Sequence, residues 1–248
     1  MVKSPILWKA RTFFSRHLMW FAAALLLSTG AFAVAQADEI KGYLPAGVTV
    51  ADFPAAPVTG SDQDQKDRAA ALDLQAKRTP ERVALAQADQ KLDVYAAFGS
   101  VLGPDITEAT TPKLAQLMRR ASRDVGATVY PIKETYKRPR PPLADPAVTP
   151  CVRLPENGLN SYPSGHAMWG TTIGAILADL IPAKAEALQA RARDFGASRA
   201  VCGVHYPSDV AAGQALAVPL LARLRTDPAF QADFDAARAE LRLLKQTP

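Results

Sequence analysis

The sequence predicts an all-α protein, a single compact helical domain that follows a cleaved leader. Three observations carry this. A polar capping residue followed by proline opens a segment three times, at Thr79-Pro80, Thr111-Pro112 and Asp227-Pro228. Proline at the first helical position after such a cap is a helix-start signature. The apolar residues that follow recur at three- and four-residue steps instead of alternating. No Asn-Gly turn set between two alternating apolar runs and no run of alternating β-branched residues occurs.

Residues 1–37 read as a secretory signal peptide. Lys3, Lys9, Arg11 and Arg16 precede an unbroken apolar run, Leu18 to Leu27, and small residues recur at Ala31, Ala33, Ala35 and Ala37. That order of charged, apolar and small residues is processing chemistry. Cleavage is expected after Ala37, with cuts after Ala33 or Ala35 as alternatives. The other reading is an uncleaved anchor, since Leu18 to Ala37 approaches the ~20 apolar residues that span a bilayer. The formal net charge is +5, from 29 basic and 24 acidic residues. The leader holds four bases and no acid, so its removal leaves 25 against 24 over 211 residues. The basic balance is therefore a targeting feature, and a nucleic-acid partner loses its main support. No later apolar stretch is long enough to cross a membrane, since Asp179 interrupts one and Gln214, Arg223 and Arg225 limit another. The expected location is periplasmic or secreted.

Residues 38–60, with Pro45, Pro54 and Pro57, are expected to form an extended arm ahead of a helical domain over 61–248. The helix opened by Thr79 carries Val83, Leu85, Ala86, Leu92, Tyr95 and Ala96, with Gly99 as its stop. The second has Leu114, Leu117, Met118 and Ala121 on one face, and Pro131 is expected to kink or end it. Residues 137–163 contain six prolines before Pro163 and read as a long loop, of the kind that is more often functional than idle. The last helix runs through Phe230, Phe234, Ala237 and Leu241. The two cysteines, Cys151 and Cys202, favour a disulfide in an exported protein; two buried thiols are the alternative. Closing a loop of about 50 residues would contribute ~4 kcal/mol.

Three blocks carry chemistry. Lys133, then Arg140-Pro141, offers an ammonium and a bidentate guanidinium for a phosphate. Taken alone, the cluster of Lys133, Lys137, Arg138 and Arg140 reads as a solvated basic face. Ser164-Gly165-His166, preceded by Pro163, stands before an apolar run and suits a helix N-terminus, where free N–H groups bind anions. A plain helix cap with a bystander histidine is the alternative. Ser198-Arg199, His205 and Asp209 form the third block. Pro207 places a helix start there, with His205 in the turn before it. Asp209 would accept the Nδ1–H of His205 and leave Nε2 as the reactive lone pair; a surface ion pair is the other reading. The third histidine, His17, falls in the leader.

Together the blocks resemble the signature of the type 2 phosphatidic acid phosphatase superfamily, which includes the vanadium haloperoxidases. Its fixed positions are all present, with 21 residues between the first and second blocks and 31 between the second and third. Within it the chain is similar to bacterial class A non-specific acid phosphatases, on Asn160–His166, Ser198–Asp209 and Thr226–Leu241. The resemblance covers roughly residues 80–240. Val204 departs from it, standing where relatives carry an aromatic residue. The resemblance implies hydrolysis of small phosphate monoesters through a phosphohistidine. His205 would be the nucleophile, Asp209 its orienting group and His166 the acid–base. Lys133, Arg140, Ser164, Gly165 and Arg199 would hold the phosphate oxygens. It implies an acidic optimum, inhibition by vanadate, no metal or other cofactor, no membrane partner once the leader is cut, and a homodimer. Three rival readings are a vanadate-dependent haloperoxidase, a soluble lipid-phosphate phosphatase and a non-catalytic phosphate-binding module. The module would not need His205 or Asp209.

Overall fold

The structure, a computed structural model, describes residues 40–45, 54–154 and 158–244. The expected signal peptide and part of the expected arm lie outside the described residues. All regular structure among the described residues is helical: α1 (Asp62–Lys77), α2 (Pro80–Ala88), α3 (Val94–Leu102), α4 (Pro112–Tyr136), α5 (Pro141–Ala144), α6 (Gly165–Leu180), α7 (Ala185–Val201), α8 (Pro207–Leu224) and α9 (Pro228–Leu244). A 3-10 turn, Pro182–Lys184, joins α6 to α7.

The fold is built around α6, which packs against α7, α8 and α4, while α9 lies along α4. Its sequence explains this position. It is apolar almost all round, and a helix of that kind belongs in a core. Gly170 and Gly174, one turn apart, let α7 lie close, since a Cβ on either would press on Phe195 or Ala192. Phe98, Trp169 and Phe195 fill the space between the helices.

Two of the three expected helix starts are capped as the sequence suggests. Thr79 Oγ1 accepts from Arg82 N at 3.2 Å, and Asp227 Oδ1 accepts from Phe230 N at 2.9 Å. Thr111 is different, because its hydroxyl turns back to the Thr107 carbonyl. The first-turn donors of α4 are instead met from α9, where the Glu240 carboxylate accepts from Lys113 N and Leu114 N at 3.0 Å. These are the donors that every helix start leaves without an internal partner.

The helix expected from Thr79 to Gly99 is two helices. Asp93 breaks it by accepting from Tyr95 N and Ala96 N at 3.0 Å, which starts α3 afresh. Gly99 lies inside α3, and Gly103 ends it at a φ of 96°, open to glycine at no steric cost. Pro131 does not end α4, which continues to Tyr136 and closes on Lys137 in the left-handed region. Among the described residues of the proline-rich segment after it, the short α5 is the one helix. Cys151 and Cys202 form a disulfide that fastens this segment to the turn after α7. From the arm, Tyr43 N and Leu44 N donate to the Asp124 carboxylate on α4 at 2.9 Å. No helix among the described residues is long and apolar enough to cross a membrane.

Helix α8 meets the start of α6 at Gly213, where a Cβ would run into the Ser164 carbonyl oxygen and Met168 N. Gly213→Ala is therefore expected to destabilise the protein by about 1–3 kcal/mol through overpacking against backbone. Gly99→Ala, where an added Cβ meets nothing within 4 Å, is expected to stabilise it by about 0.5–1 kcal/mol. Urea unfolding of both variants measures this, and shifts of the same sign would contradict the packing described.

Candidate active site

Two helix starts meet at the site. Ser164 N donates to the Asp209 carbonyl at 2.9 Å, tying the first turn of α6 to that of α8. His166 is the second residue of α6, and His205 stands just before α8, after a turn made by Gly203 at a φ of 66°. The two imidazoles thereby open on one cavity of about 520 Å³, with Lys133, Arg140, Asn160 and Gly165 in its wall. Ser164 and Arg199 are buried and do not line it.

The tautomer of His205 follows from its neighbours. Arg140 Nη1 lies 3.1 Å from His205 Nε2. A guanidinium has no acceptor, so it donates and Nε2 holds the lone pair. The ring proton then sits on Nδ1, which faces Asp209 Oδ2 at 3.5 Å. That is a close approach but not a hydrogen bond, and His205 Nδ1 is buried without a partner among the described residues. The hydrogen bond expected between His205 and Asp209 is therefore not made, and the two groups only face each other. The reason is competition. Asp209 Oδ2 already accepts from Ser161 Oγ at 2.6 Å and from Tyr206 N at 2.9 Å, and Oδ1 accepts from Arg138 Nη1 at 2.7 Å. The bond to Tyr206 N is also a helix cap, made from the third residue of α8 back to the residue before it.

The basic block is not a solvated face. Lys137 is exposed, but Lys133, Arg138 and Arg140 are buried. Arg138 does not point at the cavity. Its Nη2 donates to Asp67 at 2.9 Å and Asp64 at 3.3 Å on α1, Nη1 donates to Ser208 Oγ at 2.9 Å, and the guanidinium lies 4.2 Å over the Tyr206 ring. It connects α1 to Asp209. Lys133 Nζ donates to the Asn160 carbonyl at 2.5 Å, and Asn160 Oδ1 accepts from Arg140 Nε at 2.8 Å. Val204, the departure noted in the sequence, is buried and its carbonyl accepts from Arg140 Nη1 at 2.7 Å.

Gln90, in the turn between α2 and α3, touches both sides of the site. Its carbonyl accepts from His166 Nε2 at 3.0 Å, and its side chain accepts from Arg199 Nη1 at 2.7 Å. Arg199 Nε is buried with no partner among the described residues. Ser164 Oγ accepts from Ala167 N at 3.4 Å, so it caps α6, and its own proton remains available to donate. Ser198 faces away from the cavity and bonds Arg82 of α2 and Asp89 just after it.

Electrostatically the site is a cluster of cations that repel one another. Burial, with Arg140 and Arg199 adding to it, brings the Lys133 ammonium down to about 7. Burial likewise lowers Arg140 and Arg199 to about 10. His166 is held at about 3 by burial and by Arg199, Arg140 and Lys133, and His205 lies well below its usual range for the same reasons. Burial raises Asp209, against the pull of Arg138, Ser161 and Tyr206 N. A dense positive field with low-lying imidazoles suits an anion, which would relieve every one of these shifts but the last.

Sequence reasoning missed Arg138, Ser161, Asn160 and Gln90 as parts of the site. Asn160 and Ser161 stand one residue, Tyr162, ahead of the proline-serine-glycine-histidine block, and that nearness is a usable signal. Arg138 is one of four basic residues in its block and is told apart only by its partners Asp64, Asp67 and Asp209, and Gln90 has no motif.

Residues 123–228 match the model of the PAP2 superfamily. The acid phosphatase of Zymomonas mobilis is 37% identical over 166 residues, which are 64% of this chain and 62% of that protein. The non-specific acid phosphatase of Providencia stuartii is 32% identical over 207 residues, 80% of this chain and 82% of that protein. The chain thus spans about three fifths of the length of the first relative and four fifths of the second. A crystal structure of a transmembrane PAP2 type phosphatidylglycerolphosphate phosphatase from Bacillus subtilis has the same fold, with a TM-score of 0.52 at 18% identity over 66% of this chain and 85% of that one. The chain belongs to the PAP2 superfamily, in which it is similar to non-specific acid phosphatases.

Proposed function

We propose that the protein hydrolyses small phosphate monoesters by two in-line displacements at His205. The observation that carries this reading is that both histidines and the cations Lys133 and Arg140 open on one cavity, with the Asp209 carboxylate 3.5 Å behind the proton-bearing nitrogen of His205. The lone pair of His205 Nε2 forms the P–N bond as the ester P–O bond breaks. Arg140 moves its hydrogen bond from Nε2 to a phosphate oxygen. Asp209 stabilises the charge that develops on the ring. The leaving alkoxide takes a proton from His166. With Nε2–H held by the Gln90 carbonyl, that proton resides on Nδ1. Water then attacks phosphorus, gives a proton back to His166, and the P–N bond breaks. Lys133, Arg140 and Gly165 N, which line the cavity, hold the equatorial oxygens, where charge is spread in the transition state, and the unused donors of Arg199 Nε and Ser164 Oγ reach them from behind the cavity wall.

The low value of His166 sharpens the role of the substrate. In the free protein it is neutral over the whole physiological range. The negative charge of bound phosphate offsets Arg199, Arg140 and Lys133, and so lets His166 take its proton at the moment one is needed. Lys133, Arg140 and Arg199 supply three positive charges at the phosphate, which is why the reaction needs no metal. We further propose that residues 1–37 direct export to the periplasm or beyond, and the Cys151–Cys202 disulfide supports an oxidising compartment.

Turnover of p-nitrophenyl phosphate tests the chemistry. His205→Ala is expected to lower kcat by at least about 10³-fold, and EDTA is expected to leave the wild type unchanged. Full activity in His205→Ala would remove the mechanism.

A second experiment isolates Lys133. Its folded value lies near 7, below the ordinary 10.5, so above pH 7 the free protein holds fewer protons than its anion complex. Anion binding must then bring a proton with it, and affinity falls as pH rises. Sulfate keeps a fixed charge, so its Kd is expected to rise above pH 7 by up to about tenfold per unit. Lys133→Met should bind sulfate weakly and lose that rise. Calorimetry in two buffers measures the proton directly, and no uptake by the wild type at pH 8 would contradict the assignment.

A further inference from the structure

The cavity that holds the histidines extends well beyond the phosphate-binding cations. Its wall runs back along α4 from Lys133 through Val129 and Val125 to Arg123 and Ser122, with Leu92 from the turn before α3. Leu92, Ser122 and Arg123 also line a second cavity, of about 370 Å³. The two share a wall, so a molecule anchored by its phosphate at Lys133 has a path along α4 to Arg123.

The walls of that path are apolar, and two of its large side chains are exposed, Leu92 at 51% and Tyr130 at 66%. Arg123 is exposed as well. Its neighbours on α4 are committed: Arg119 pairs with Glu108, and Arg120 pairs with Asp233 at 2.7 Å. Arg123 has no charged partner among the described residues. It is ten residues from Lys133, about 15 Å along the helix axis. Both side chains are long, so the anions they hold lie closer together than that.

We propose that Arg123 is a specificity-determining residue. It selects phosphate monoesters whose leaving group is an apolar or aromatic body carrying a second anionic group at its far end. This rests on the phosphomonoesterase reading above. The apolar body lies on Val125, Val129, Leu92 and Tyr130, and the distal anion meets the Arg123 guanidinium, a planar donor suited to carboxylate or phosphate.

The test is a matched pair of substrates: the phosphate ester of 3-(4-hydroxyphenyl)propanoate and that of its N-methylamide. They differ in the distal charge and hardly in leaving-group reactivity. Phenyl phosphate, which has no distal group, serves as reference. The wild type is expected to favour the acid over the amide by about three- to tenfold in kcat/KM, with the preference shrinking as salt rises. Arg123→Gln should bring the ratio to about one, and Arg123→Glu should reverse it. Both should leave phenyl phosphate turnover and thermal stability unchanged, because Arg123 is exposed and unpaired. A wild-type ratio of one, or the same ratio in Arg123→Gln, overturns the proposal while phenyl phosphate turnover keeps the hydrolase reading intact. No turnover of phenyl phosphate by the wild type would overturn the hydrolase reading itself. Hexyl and ethyl phosphate, whose leaving alcohols react alike, test the apolar wall: hexyl should have the lower KM, and equal values would strike out that part.

Discussion

The site depends on one buried carboxylate. Asp209 is fully buried, and burial alone would favour its neutral form. It is held as an anion by Arg138, Ser161 and the Tyr206 amide, three donors that use both of its oxygens. The start of α8 adds the positive end of a helix dipole. The same carboxylate therefore caps a helix, anchors a guanidinium and faces the proton of His205. Because Ser164 N bonds the Asp209 carbonyl, the residue also fixes where α6 begins, and with it His166. Arg138 passes the constraint outward to Asp64 and Asp67, so α1 belongs to the site although none of its side chains lines the cavity.

The second organising feature is the cost of the cation cluster. Lys133, Arg140 and Arg199 are buried near one another and near two imidazoles: Arg140 and Arg199 lower the proton affinity of Lys133, Arg140 lowers that of Arg199, and all three lower that of His166. Carbonyls of Asn160 and Val204 and the Gln90 side chain offset part of this. Arg199 Nε remains buried without a partner among the described residues. Such a site is preorganised for an anion, and its protonation changes when the anion arrives. Substrate binding and acid–base chemistry are thereby coupled through charge.

Much of this was legible in the sequence, for identifiable reasons. Helix starts at Pro80, Pro112 and Pro228 are local, so they can be read from neighbouring residues. His205 before a helix that restarts at Pro207 is local too. What was missed is non-local. Helix α1 buries Asp64 and Asp67 with Ala71, so it has no apolar stripe to detect. The cap of α4 comes from Glu240, more than a hundred residues away. Arg138 and Arg140 are two residues apart with the same chemistry nearby, yet one braces Asp209 and the other reaches His205. Only the packing of α1 and α8 around Arg138 separates them. The break at Asp93 was readable in principle, since an aspartate before a new apolar run is a cap signal.

The central claim is that His205, with its Nδ1 proton turned toward Asp209, attacks phosphorus through Nε2. The most direct measurement is to quench a single turnover at alkaline pH, where a P–N bond survives, and to map the phosphoryl group by mass spectrometry and by its phosphorus–nitrogen coupling. The account predicts a phosphoryl group on Nε2 of His205. A phosphoryl group on Nδ1 of that ring, on His166 or on any other side chain would contradict it.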